Sequence, residues 1–365
     1  MRRHNLVVEA PGRVVLVEED LPEVPEGGLL LETVATGLSA GTELTFVKGD
    51  HPGLHRDHDV ELGLFRERPG GAPAYPVRRL GYMEVGRVAR SRTAAFGEGD
   101  LVAAAYGHAT AHVADPLREH VVPLPDDLDP LLGVYVAHVG PICANGLLHA
   151  AADAVGPSTA RLGDGVAGRR VLVVGAGLIG LLTAVMAADL GAEEVAVADA
   201  DPRRLDVAAA LGLTPVPLDG DPAVWAKTRW RHGPADHGAD LVLQCRGRTA
   251  ALATALRAAR PQGTVVDLAF YTEPTADVRL GEEFHHNGLR LVCAQIGRVP
   301  RGTGGAWDRL RLSACTVGFL RRCGGPLREH LLTDVLPLSD APELLADLAA
   351  RRRHALSAVF TTGRG

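Results

Sequence analysis

Cysteine is sparse in this 365-residue chain: the five are Cys143, Cys245, Cys293, Cys315 and Cys323, with no close pair and none before residue 143. An odd number without paired spacing excludes the disulfide framework of a small secreted domain and leads us to expect a cytoplasmic protein. Lysine is nearly absent too. Of the 38 basic residues all but Lys48 and Lys227 are arginine, which reflects base composition rather than mechanism. Positive charge is not in excess, the formal net charge being −6, so the electrostatic footprint of a nucleic-acid binder or of a protein drawn to an anionic membrane is missing. The opening MRRHNLVVEAPG offers only a three-residue apolar run before Glu9, too short for a signal-peptide core. What remains is an ordinary globular composition, 46% hydrophobic and 22% charged, ample for a large buried core and suited to a small-molecule partner.

One stretch, Val171 to Ala188, runs 18 residues without a charge, the length of a membrane span. It reads instead as strand, turn and buried helix, because a β-rich run is followed by three glycines within six residues and then by a helical pattern. Before it, the first 130 or so residues read as short strands broken by Pro and Gly, with Leu6–Val8, Arg13–Val17, Leu29–Val34 and Gly86–Val88 as examples. Residues 50–79, rich in Gly, Pro, Arg and His, show no period and suit a functional loop over a substrate mouth. From about Val139 to Arg290 strands and helices alternate, the mark of a parallel sheet covered on both faces. Asp201-Pro202 is a sound helix start within it. The tail returns to strands with one helix near Ala341 to Arg351.

Gly175-Ala176-Gly177-Leu178-Ile179-Gly180 follows a strand and opens a helix, and Asp199 ends the next strand. This is the full context of a dinucleotide fingerprint. Gly175 permits the tight turn, Gly177 admits a pyrophosphate to the backbone, and Gly180 lets helix and strand pack closely. The helix start offers unpaired N–H groups to phosphate. Asp199 suits the ribose hydroxyls and would repel a 2′-phosphate, so NAD is preferred over NADP; Arg203 or Arg204 can stack on adenine or receive a phosphate.

The segments VATGLSAGTE, GYMEVGRV, GHATAHV with VVPLP, the fingerprint, and ADLVLQCRG followed by ARPQGTVVDLAF together resemble the medium-chain dehydrogenase/reductase superfamily over essentially the whole chain. The resemblance implies an α/β protein in two parts. Residues 1–138 and 291–365, both chain ends, form a GroES-like, β-rich catalytic domain, and 139–290 form a Rossmann NAD-binding domain, a doubly wound parallel sheet. It implies an active site in the cleft between them, a homodimer or homotetramer, and Leu178, Ile179, Cys245 and Leu268 beside the cofactor with Arg204. It also exposes departures. Where zinc members carry a cysteine ligand this chain has Gly37-Leu38-Ser39-Ala40-Gly41-Thr42-Glu43, and where they carry Gly-His-Glu it has Gly81-Tyr82-Met83. The structural-zinc cysteines are missing. The chain therefore resembles a zinc-independent branch, similar to the subgroup that contains bacteriochlorophyllide hydroxyethyl dehydrogenase.

Without a Lewis acid the reacting oxygen needs protein hydroxyls or an ammonium. Thr42 matches the family's proton-relay hydroxyl, or else bonds its own backbone at a strand end. Tyr82 is a general acid/base if a nearby cation lowers its pKa from about 10, or else an aromatic plug in the vacated pocket. Glu43 orients its neighbours or forms a structural ion pair, and Lys48 suits a solvated strand end better than an alkoxide contact. His51, His55 and His58 have helical spacing for a metal, but Pro52 and Gly53 oppose that helix. His138 and Cys143 face a cleft or lie inert in the core; His285 and His286 read as interface packing, and Gln295 as a residue toward the nicotinamide. The expected activity is oxidation of a secondary hydroxyl on a polyol, cyclitol or sugar-like biosynthetic intermediate. The alternatives are an NADPH-dependent enoyl or quinone reductase, an epimerase with tightly bound NAD, and a non-catalytic nucleotide-binding protein.

Overall fold

The computed structural model describes residues 1–274 and 277–363. It divides into two compact units, Met1–His138 with Leu332–Gly365, and Val139–Leu331. Residues 291–331, which the resemblance assigns to the β-rich domain, thus pack with the parallel sheet. The physical reason is that Arg290–Cys293 adds to that sheet as an edge strand and helix Arg309–Pro326 lies on helix Val139–Val155. Gly140 makes this approach possible, since a Cβ there would sit 2.1 Å from the Thr316 methyl.

In the first unit, Arg2–Ala10 pairs antiparallel with Arg13–Asp20. Among the described residues, a larger sheet takes the order Asp334–Pro337, Ala358–Thr361, Leu29–Gly37, Glu84–Ser91, Leu101–Ala104 and Val121–Pro123, with Ala111–Ala114 also on Leu29–Gly37. Strand 29–37 alternates buried and half-buried residues along most of its length, the period-two signature of a sheet over a core. That core includes Leu6, Val8, Leu38, Leu80, Leu344 and Phe360, each contributing roughly 1.5–3 kcal/mol by leaving water. Segment 50–79 is more regular than its composition suggests: a single helical turn, Pro52–His55, precedes the hairpin Arg56–Asp59 and Leu64–Glu67.

In the second unit, among the described residues, six parallel strands run in the order Thr214–Pro217, Glu194–Asp199, Arg170–Val174, Ala239–Gln244, Ala259–Asp267 and Arg290–Cys293. This is the doubly wound order, in which a dinucleotide crosses the carboxyl edge where the strand order reverses. Asp201 caps helix Pro202–Ala210, its side chain accepting from Arg203 N at 3.1 Å. The uncharged run 171–188 resolves into strand, turn and helix Leu178–Asp189, and among the described residues no helix is long and apolar enough to cross a membrane.

The first unit also buries charge. Glu84, wholly inaccessible, accepts from Thr33 Oγ1 at 2.6 Å and faces His112 Nδ1 at 3.0 Å, while His112 Nε2 faces Glu119 at 3.0 Å. Burial lowers the pKa of His112, but Glu84 and Glu119 outweigh it and raise the value above 6.5. Burial raises the pKa of Glu119, yet the His112 and Asp115 hydrogen bonds bring it below 4.5. With the histidine raised, its stabilising contribution is complete below pH 6.5 and lost as pH rises through the folded value. With the carboxyl lowered, its contribution is complete above pH 4.5 and lost as pH falls. We expect His112→Gln to cost about 3 kcal/mol near pH 5.5, the price of stranding a buried carboxylate, and the melting-temperature gap to the wild type to narrow toward pH 9 in scanning calorimetry. A gap that does not change with pH would mean that a neutral histidine holds the site.

Candidate active site

The SAGTE run forms a helix rather than the strand end expected for Thr42 and Lys48. Ala40–Lys48 is helical after Ser39, and Gly49, at φ +87°, closes it with its N–H on Thr45 O. A left-handed residue there favours glycine. Lys48, exposed in the last turn, faces solvent.

Glu43 is 1% exposed in the first turn. Its Oε1 accepts from the Ser39 backbone N–H at 2.7 Å, and its Oε2 lies 2.7 Å from His108 Nε2. The other ring nitrogen of His108 lies 2.9 Å from Thr36 Oγ1. Gly81, at φ +91°, is required beside this pair, since a Cβ would stand 2.9 Å from the His108 ring. The arrangement holds Ser39 next to Tyr82. The phenol donates to Ser39 Oγ and also hydrogen-bonds the Thr42 hydroxyl. The His138 ring lies 4.4 Å from that of Tyr82, tilted by 46°. Tyr82, Ser39, Thr42, Glu43, His108 and His138 thus form one cluster. Of these His108 had no role in the sequence reading, where it was only part of GHATAHV; its link to Glu43 spans chain positions that no local spacing connects.

The electrostatics of Tyr82 run opposite to expectation. Burial and then the Glu43 carboxylate push the phenol up, to about 12, against the smaller downward effects of Ser39 and Thr42. A phenol in this state keeps its proton at neutral pH and acts as a donor. Met83 is fully buried against Gly37, a core residue rather than a ligand. A neutral serine, a phenol and a buried thioether do not make the thiolate and imidazole set that zinc takes. Among the described residues, no three His, Cys, Asp or Glu side chains are grouped to hold a metal. His51 stacks on Phe46 at 3.8 Å and accepts from Gly53 N, His55 reaches Gly49 O, and His58 tilts onto Phe65. The helix that forms there is the single turn Pro52–His55, with His51 as its N-cap and His58 already in strand Arg56–Asp59.

In the second unit the fingerprint turn has the shape a pyrophosphate requires. Gly175 has φ +106° and donates its N–H to Ala198 O at 2.8 Å. A Cβ on Gly180 would lie 1.7 Å from Gly175 O, whereas one on Gly177 would meet only Arg204 Nη1, at 3.8 Å. The open face at Gly177 leads to the start of helix 178–189, where Leu178 and Ile179 are half-exposed. These residues fit a dinucleotide. Asp199, 4% exposed, accepts from Ala176 N at 2.8 Å and Asp201 N at 2.9 Å, so it also fixes the turn; each oxygen keeps capacity for a further hydrogen bond. Cys245 and Leu268 follow strands 239–244 and 259–267 at the same edge, their N–H groups on Val174 O and Gln244 O. Burial raises the Cys245 thiol far above its usual range and the Cys143 thiol to about 12, so both are inert. Arg246 was not anticipated; its guanidinium stands 3.7 Å from Asp199. His285 and His286 are exposed on the second unit, and Gln295 spends its side-chain oxygen on Gly297 N.

A family described as "Zinc-binding dehydrogenase" matches residues 179–301. D-guloside 3-dehydrogenase of Escherichia coli is 26% identical over 354 residues, covering 93% of this chain and 94% of its own length. Among solved structures, the alcohol dehydrogenase TADH from Thermus sp. ATN1 is 21% identical with a TM-score of 0.74, covering 98% of this chain and 99% of its own. Galactitol-1-phosphate dehydrogenase of E. coli is 17% identical with a TM-score of 0.74 and the same coverage.

Two outcomes follow. Glu43→Ala strands the Ser39 N–H and His108 in the core and should cost about 3 kcal/mol in denaturant unfolding, with Glu43→Gln costing less. Gly180→Ala forces apart the turn and helix, so fluorescence titration with NAD should show at least about a hundredfold weaker binding, since the phosphate-facing amides move with the turn.

Proposed function

Because the chain belongs to the medium-chain dehydrogenase/reductase superfamily, we propose that it is an NAD-dependent alcohol dehydrogenase. In this reading it works without zinc and oxidises a secondary hydroxyl of a polyol, cyclitol or sugar-like molecule. The observation that supports the proposal is the Tyr82–Ser39–Thr42 hydroxyl cluster, in which Ser39 and Tyr82 stand where the resemblance gives zinc members a cysteine and a histidine. The substrate class draws on relatives named for a guloside and a galactitol phosphate.

Gly175, Gly177 and Gly180 with the start of helix 178–189 would hold the pyrophosphate, and Asp199 the adenosine ribose. The bound nicotinamide supplies the hydride acceptor or donor. The remaining chemistry belongs to the chain. Tyr82, protonated at neutral pH, hydrogen-bonds the substrate oxygen and donates its proton to the carbonyl oxygen in the reductive direction. Ser39 and Thr42 share the resulting charge by hydrogen-bonding the phenolate oxygen. In the oxidative direction the same group must first lose its proton, which the Glu43 carboxylate opposes. Glu43 and His108 act through Ser39 as positioning residues.

The sign of the pH dependence follows. Alcohol oxidation should rise with pH without a plateau below about pH 10, while ketone reduction stays flat through neutrality. Tyr82→Phe should lower kcat at least about a hundredfold in both directions, the range of one acid/base group, with NAD affinity unchanged. Unchanged turnover in both Tyr82→Phe and Thr42→Val would point to a nucleotide-binding protein without this catalysis. Atomic absorption on the purified chain should find well below one zinc per molecule, and a stoichiometric ion lost together with activity on chelation would overturn the zinc-free mechanism.

A further inference from the structure

Within the second unit, the chain leaving strand Arg290–Cys293 forms a cavity unrelated to the fingerprint turn. Its entry is anchored by the Asn145 side-chain amide, which donates to the carbonyls of Ala294, Gln295 and Arg298 at 3.4, 3.2 and 3.1 Å. Its exit is anchored by the Trp307 indole on Thr159 O at 2.9 Å. Between these anchors lies a space of about 630 Å³ lined by Arg298, Arg301 and Arg309, with Trp307 and Leu312. Backbone held at both ends presents the arginines on a fixed frame.

The charge of this cavity is predominantly positive. Asp308 also lines it, but its carboxylate is engaged as the cap of helix 309–326, accepting from Arg311 N at 2.7 Å. Arginines elsewhere are commonly matched: Arg257 with Asp221, Arg260 with Asp236 and Asp240, Arg322 with Asp189. Among the described residues, the Arg298 and Arg301 guanidinium groups enter no hydrogen bond or ion pair. Arg309, half-buried, lines the same space. Planar guanidinium groups pair with carboxylate or phosphate through two parallel N–H bonds.

Position within the sheet assigns the cavity a role. Asp199, on the strand next to Arg170–Val174, marks the adenosine side, and the dinucleotide extends along the carboxyl edge away from it. Strands 259–267 and 290–293 lie on that far side, so the cavity follows the strand nearest the reacting end of the cofactor. We propose that Arg298, Arg301 and Arg309 bind an oxyanion of the substrate, which makes the substrate a polyol or sugar-like alcohol carrying a phosphate or carboxylate. This rests on the dehydrogenase reading above for the alcohol and on the cavity itself for the acid group.

Calorimetric titration of the full chain with saturating NAD tests it, using glucitol, glucitol 6-phosphate, gluconate and inorganic phosphate as probes. At least one anionic probe should bind ten times more tightly than glucitol. Arg298→Gln/Arg301→Gln should erase that preference, and Arg118→Gln, on the exposed surface of the other unit, should keep it. Both cavity side chains are exposed, so an unchanged melting temperature will show the double variant folded. Tighter binding of the phosphates than of gluconate would identify the acid as phosphate, and the reverse as carboxylate. Anionic probes binding no better than glucitol, absence of binding included, or a preference that survives in the double variant, would overturn the site. Oxidation assays on the same probes separate the two readings: preferential binding without turnover of any probe tells against the dehydrogenase, not against the oxyanion site.

Discussion

The buried carboxylate of Glu43 is the constraint on which the hydroxyl cluster around Tyr82 depends. A charged group taken out of water is tolerated only where its oxygens find donors, and here the Ser39 backbone and His108 provide them. The same bonds tie the first turn of helix 40–48 to the loop at His108 and through it to Thr36 on strand 29–37. Ser39 is thereby held beside the Tyr82 phenol, which burial first and the nearby negative charge second keep protonated. One side chain fixes the geometry of the cluster and adds to burial in setting its acidity.

A second buried pair repeats this device along the same strand. Glu84 holds the His112 ring as Glu43 holds that of His108, but Thr33 donates to the carboxylate, whereas Thr36 bonds the ring itself. The two differ in consequence. His112 lies between two carboxylates, which raise its pKa against the effect of burial, and it ties three segments together. The Glu43–His108 pair instead faces a site where hydroxyl groups meet. Interior polar groups of this kind favour one arrangement of the surrounding strands, since any other leaves a charge without partners.

In the second unit the organising constraint is steric. Gly180 and Gly175 touch so closely that no side chain fits between them, and Asp199 spends hydrogen bonds on the turn that it is also placed to serve. The cofactor role proposed for Asp199 and its hold on the local fold therefore involve the same carboxylate. The arginine-lined cavity beyond strand 290–293 follows a different principle, since its backbone is fixed by Asn145 and Trp307 while the Arg298 and Arg301 guanidinium groups are left for something outside the chain.

Much of this was legible in the primary structure, and the division has a physical cause. The fingerprint, the parallel sheet and the helix start at Asp201 could all be read from residue order, because turns, caps and hydrophobic periods are local. The helix at Thr42, the partnership of Glu43 with His108, the upward shift of Tyr82, the placing of Arg246 beside Asp199 and the packing of residues 291–331 with the parallel sheet could not. Each depends on groups far apart along the chain that meet only after folding, in surroundings whose low polarity and close packing decide which charges and contacts survive.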